Sequence, residues 1–184
     1  MAARGATLDD LRRVHGKAEL AGGEIVRTTP AGGLHSYASR RIAESLGAYE
    51  RQAGYGCAFA DNAGFVVDLP HRRSFSPDAS FYLGNVSQTL LVGAPVFAVE
   101  IRSEEDYGPV TERRMAAKRA DYFAAGTLVV WDVDVLREHW VKAYSVEEPE
   151  APRAFGRDEV ADAEPALPGW RMPVAELFEG NQPA

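Results

Sequence analysis

The apolar positions change period several times along this chain, and each change marks an element. "TLDDLRRVHG" reads as a short helix with Thr7 as N-cap, acids in its first turn and Gly16 near its end. "AEL" and "EIVRTT" form a hairpin about Gly22 and Gly23. Leu34, Tyr37, Ala38, Ile42, Leu46 and Tyr49 then recur at helical spacing, with Gly54 as the stop. "YGCAFADNAGFVVDLP" gives two strands about an Asp61-Asn62 turn, ended by Pro70. A short alternating run follows Pro77-Asp78, and "GNVSQTLLVGAP" connects it to the strongly β-prone "VFAVEIR". "GPVTERRMAAKRADYFAAG" is the clearest helix, with Pro109 near its start and Gly126 past its end. "TLVVWDVD" reads as a buried strand, and the alternating "HWVKAYSV" pairs with it. The tail from Arg153 onward reads as mostly irregular, closed by a turn of helix at "PVAELF". This order predicts an α/β fold, a mixed sheet flanked by helices.

Composition narrows the class. At 184 residues the chain is expected to be a single domain over 1–184, with its core at about 18–178. No run of 18 apolar residues is present and the first residues have no signal-peptide core, so a cytoplasmic protein is expected. One cysteine, Cys57, excludes an internal disulfide and reads as small core filler. The net charge of −7 argues against a generic polyanion binder. It is uneven, however. Residues 147–164 are strongly acidic, while Arg113, Arg114, Lys118 and Arg119 cluster in "ERRMAAKR".

Two carboxylates stand out against this pattern. Asp78 opens one strand, and alternation in "VFAVEIR" places Glu100 at the end of an otherwise apolar stripe. Carboxylates at the ends of neighbouring strands repel unless a cation lies between them. Oxygen-only ligands suit Mg²⁺, which takes one or two carboxylates and leaves its other positions to water and phosphate. Met115, Lys118 and Tyr122 share one helix face, so Lys118 points a cation toward the sheet. Structural readings stay open beside this one. Asp78 could cap a turn, Glu100 could pair with Arg102 or Arg114, and Lys118 could lay its stem on the core and snorkel. "HRRSF" offers Arg72 and Arg73 as phosphate contacts or as a solvated loop. The four histidines have no metal-ligand spacing, and "PAGGLH" lacks the Lys-Ser/Thr of a P-loop.

Pro77-Asp78, Glu100 in a β-run 22 residues later and a helical lysine together resemble the PD-(D/E)XK nuclease superfamily. More narrowly, "ELAGGEIV", "PAGGLHSYASRRIAESL", "SPDASF", "GAPVFAVEIRS", "KRADYFAAGTLVVWDVD" and "LPGWRMPVAELF" resemble, in order and spacing, the Uma-two family of restriction-endonuclease-like proteins. The resemblance implies a restriction-endonuclease-like core and Mg²⁺-dependent phosphodiester hydrolysis in DNA, with Mn²⁺ as a substitute ion. The reaction it implies is in-line attack by water that leaves a 3′ hydroxyl. Asp78 and Glu100 match the metal-binding carboxylates, and Lys118 matches a lysine carried on the helix. Glu24 and His35 fall at further family positions as site neighbours. The superfamily lysine two after the glutamate is here Arg102, which cannot act as a base but can clamp a phosphate. "SEEDYG" also replaces a usual Ser-Pro-Ser stretch, and its acids are expected to hold basic residues of the next helix. Endonucleases that cut both strands pair two sites, so a homodimer is a further expectation. The alternative is a binding module for nucleic acid or protein on the same fold, its site decayed.

Overall fold

The computed structural model describes residues 5–178; residues 1–4 and 179–184 of the expected 1–184 domain lie outside the described residues. Helix α1 (Leu8–Arg12) starts at a capping box, with Thr7 and Asp10 each closing on the other's backbone. The hairpin follows as β1 (Ala18–Ala21) and β2 (Glu24–Arg27). Helix α2 (Gly33–Ala53) ends at Gly54, whose φ of 72° is the left-handed cap that glycine takes without a Cβ penalty. Its Ala38, Ile42 and Leu46 are fully buried at spacing four, which makes this stripe the helix's contact with the sheet.

Six strands form the main sheet in the order β11-β10-β9-β8-β6-β3. They are β3 (Cys57–Ala60), β6 (Ala79–Tyr82), β8 (Phe97–Ile101), β9 (Val129–Asp134), β10 (Trp140–Ser145) and β11 (Arg153–Gly156). All neighbours are antiparallel except β8 and β9. That parallel pair needs a crossover, and α3 (Pro109–Ala124) supplies it, entered through Gly108 with Pro109 at its first position. A smaller three-stranded sheet joins β5 (Ser74–Phe75), β4 (Phe65–Val66) and β7 (Leu91–Val92). The fold is therefore a mixed sheet flanked by helices, as the sequence pattern predicts.

Alternation sends the two faces of the main sheet into two cores. Ala79, Phe81, Phe97, Val99 and Trp131 pack with the α2 stripe and with Trp170, Met172 and Leu177 of the tail. Tyr82, Ala98 and Val130 pack on the other side with Tyr122 of α3 and with Phe65, Phe75 and Leu91. Each fully buried side chain of this size contributes about 1.5–3 kcal/mol.

Three readings need correction. The strands either side of Asp61-Asn62 join different sheets, β3 in the large one and β4 in the small one. The connector 84–95 contains β7. The tail is far from irregular: β11 extends the main sheet, and β12 (Val160–Asp162) pairs with β13 (Arg171–Pro173) before the closing 3-10 turn Val174–Leu177. The tail is ordered by burial, because Trp131 donates its indole N–H to the Asp162 carbonyl at 3.0 Å and Trp170 sits beside it with ring centroids 5.0 Å apart. Cys57 is only half-buried.

Gly56 gives a direct test of this packing. Its φ is 71°, and a Cβ there would lie 2.3 Å from Cε1 of the fully buried Phe81. Gly56→Ala is expected to lower unfolding stability by about 2–4 kcal/mol, combining left-handed strain with overpacking. The check is the urea midpoint, which should fall at unchanged slope.

Candidate metal and phosphate site

The site forms where β6 begins and β8 ends. Ala79 pairs with Val99, and continuing that antiparallel register sets Asp78 opposite Glu100. The Asp78 amide donates to the Val99 carbonyl at 2.9 Å, and Ser39 of α2 donates to the Asp78 carbonyl at 2.6 Å. Both carboxylates thus share one face on adjacent strands, which is the juxtaposition the sequence reading required.

Asp78 is 4 % exposed. Its Oδ2 accepts the Ile101 amide at 2.7 Å and lies 3.3 Å from His35 Nε2. Its Oδ1 is held by the Lys17 ammonium. Burial alone would raise this carboxyl's pKa, but the His35 and Lys17 partners outweigh it and hold the pKa below the ordinary range. Burial likewise disfavours charged His35, yet the contact with Asp78 wins and raises the imidazole.

Glu100 accepts the Tyr122 hydroxyl at 2.7 Å and the Lys118 ammonium at 2.8 Å. Its carboxyl is raised above the usual value, first by burial and then, against the pull of Lys118, by the negative charges of Asp78 and Glu19. Lys118 lies between Glu100 and Glu19, 2.9 Å from the latter. Burial works against its charge, and these two carboxylates outweigh that and raise its pKa. It neither snorkels to solvent nor leaves Glu100 to Arg102 or Arg114.

Glu19 is the acid that sequence reading missed. It is 8 % exposed and accepts from Lys118, from Arg72 at 2.9 Å and from the Ser76 amide at 2.8 Å. Arg72 also donates to Asp121 at 2.7 Å. Asp121 is in turn 2.6 Å from His71 Nε2. Glu24, the expected neighbour, is exposed on β2 at the other end of the hairpin. The opposite charges of Lys17 and Glu19, two residues apart where β1 begins, were the available signal.

Arg102 stands apart. Its guanidinium is bidentate to Asp132, both bonds at 2.8 Å, and also binds Glu112 and the Asp106 carbonyl. It is 4 % exposed. Asp106 holds Arg114 at 2.9 Å, so this acid does serve a basic residue of α3. Arg72 is turned inward to Glu19 and Asp121, while Arg73 pairs at the surface with Asp68.

The donor chemistry fits Mg²⁺. Asp78 and Glu100 would offer it hard oxygen donors, and a cation would offset the burial and the neighbouring carboxylates that raise the Glu100 carboxyl. Among the described residues no group of three or more His, Cys, Asp or Glu is gathered as a ready cage. A cation here would rest on two carboxylates, with water and substrate completing its shell.

Comparison with known proteins agrees with the fold. A crystal structure of a putative nuclease belonging to DUF820 from Anabaena variabilis ATCC 29413 superposes with a TM-score of 0.74 at 18 % identity, over 94 % of this chain and 97 % of that one. No curated protein matches. Among the described residues no helix is long and apolar enough to cross a membrane. The model of the Uma2 family, described as "Putative restriction endonuclease", matches residues 8–175, and this chain belongs to that family.

Proposed function

We propose that this protein is a DNA endonuclease that hydrolyses phosphodiester bonds with Mg²⁺ held by Asp78 and Glu100. The observation that carries the proposal is the register of β6 against β8, which sets the two carboxylates side by side with the Lys118 ammonium on Glu100. When bound, the ion polarises a phosphoryl oxygen and lowers the pKa of an attacking water. The remaining work belongs to the chain. Lys118, clamped by Glu19 and Glu100, fixes a positive charge where charge would grow on the phosphate. Tyr122 and His35 orient the two ligand carboxylates. A homodimer would bring two such sites to the two strands.

Titration calorimetry with Mn²⁺ tests the site without a guess about target sequence. The wild type is expected to bind and Asp78→Ala is expected to lose binding. Mg²⁺-dependent cleavage of a plasmid panel, with Lys118→Ala as the impaired control, then tests the reaction. The second reading, a decayed binding module, is favoured by Arg102, which occupies the superfamily lysine's place and is committed to Asp132 and Glu112. Equal Mn²⁺ binding by wild type and Asp78→Ala, or none by either, would select that reading.

A further inference from the structure

Lys17 has no part in the chemistry just proposed, yet it holds the oxygen that chemistry needs. It sits at the bend before β1, and its carbonyl is pinned by the Thr28 amide at 3.0 Å. Its side chain is only 16 % exposed, and the ammonium touches two carboxylates, Asp78 Oδ1 and Asp61 Oδ1, the latter at 2.7 Å. Asp78 Oδ2 is taken by the Ile101 amide and His35. Oδ1 is therefore the oxygen left to face a cation, and Lys17 is on it. The same ammonium also feels the field of Glu100. One monovalent charge thus stands in the field of both proposed metal ligands.

The two carboxylates that hold Lys17 are not alike. Asp78 is buried, whereas the Asp61 side chain is 42 % exposed and lines an open groove of about 610 Å³ between α2 and β3. A lysine stem has four rotatable carbons and an ammonium without directional preference, so it can leave one carboxylate and keep the other. We propose that Lys17 is a resident counter-cation: it neutralises Asp78 in the metal-free protein, a divalent ion displaces it, and Asp61 retains it at the rim. This rests on the reading of Asp78 as a metal ligand. Lys17 is a positioning residue. It keeps buried Asp78 ionised and ready without a metal, and it sets the concentration at which metal enters. Once displaced, its charge remains beside the site, where an incoming phosphate is anionic.

The test uses opposite signs. Lys17→Met removes the competitor, and Mn²⁺ affinity by calorimetry is expected to rise at least about tenfold, the scale of one close like charge in a partly solvated site. Asp61→Asn removes the rim partner, commits Lys17 to Asp78, and is expected to weaken Mn²⁺ binding about threefold to tenfold. A purely structural Lys17 would give weaker binding by Lys17→Met and leave Asp61→Asn equal to wild type. Asp61 lies in an exposed turn, so its variant reports even if Lys17→Met fails to fold. In addition, the Lys17 ¹³Cε signal is expected to shift on adding Mg²⁺ to the wild type and to stay fixed in Asp78→Asn. Equal or weaker binding by Lys17→Met, with wild type binding normally, overturns the exchange alone. No Mn²⁺ binding by wild type or by either variant overturns both the exchange and the metal-site reading.

Discussion

Glu100→Gln is expected to abolish Mg²⁺-dependent DNA cleavage, by at least about 10³-fold, while leaving the folded protein as stable as wild type or more so. On the proposed function the loss follows from removing one of the two carboxylates assigned to the ion, since such an ion supplies several kcal/mol of transition-state stabilisation. The gain follows from the crowding of the site. Burial and the charges of Asp78 and Glu19 raise the Glu100 carboxyl, and Lys118 only partly offsets them. A carboxyl raised in the folded state contributes stability that is full below its unfolded value near 4.3 and is lost as pH rises through the folded value. Glutamine keeps the shape and a hydrogen bond to Tyr122 and has no such loss. Lys118 retains Glu19. Wild type should therefore lose stability relative to Glu100→Gln as pH rises from about 4 toward neutrality. Thermal unfolding across that range checks the sign, and a metal-ion cleavage series checks the activity. A variant that is inactive because it is unfolded would contradict the prediction.

Arg102→Ala should have the largest effect on stability. It would leave Asp132, 1 % exposed, without its bidentate partner, and the Arg119 Nη1 at 3.5 Å is too far to replace it. Breaking a buried pair in this way costs about 3–5 kcal/mol. For a chain of this size that is a fall of about 10 °C in Tm. Arg102→Lys should recover little, because a single ammonium cannot serve both Asp132 and Glu112 with the same geometry. DNA affinity of the folded fraction of either variant, unchanged for a scaffold role and weakened for a phosphate-clamping one, would separate the two.

The parts of the fold visible in the sequence were those with sustained period. The α2 stripe of Ala38, Ile42 and Leu46 and the continuous run of β9 each declare one environment over many residues. The strands β4, β5 and β7 have two residues each, too few for any alternation to register. The tail strands were hidden for another reason: their order depends on Trp131 and Trp170 meeting across a long separation, which local pattern does not encode. The site divides the same way. Asp78, Glu100 and Lys118 could be placed because strand and helix faces were predictable from i, i+2 and i, i+3 spacing. Lys17 and Glu19 could not, because they reach the site from a separate two-stranded hairpin, and nothing local says where a hairpin docks. Glu24 lies on that same hairpin, five residues from Glu19 but on the exposed strand.

The parallel pairing of β8 with β9 carries a consequence for the newly made chain. Every residue from Lys17 to Tyr122 that builds the site precedes β9 in sequence. A chain synthesised only as far as α3 therefore holds all of these side chains, yet one edge of β8 is open and the Trp131 core does not exist. Glu100 is then carried on a strand that nothing holds on that side. Synthesis runs from the N-terminus, and non-local strand pairing is the slow part of folding. Glu100 is paired on both edges of its strand only after residues 129–134 have emerged and docked.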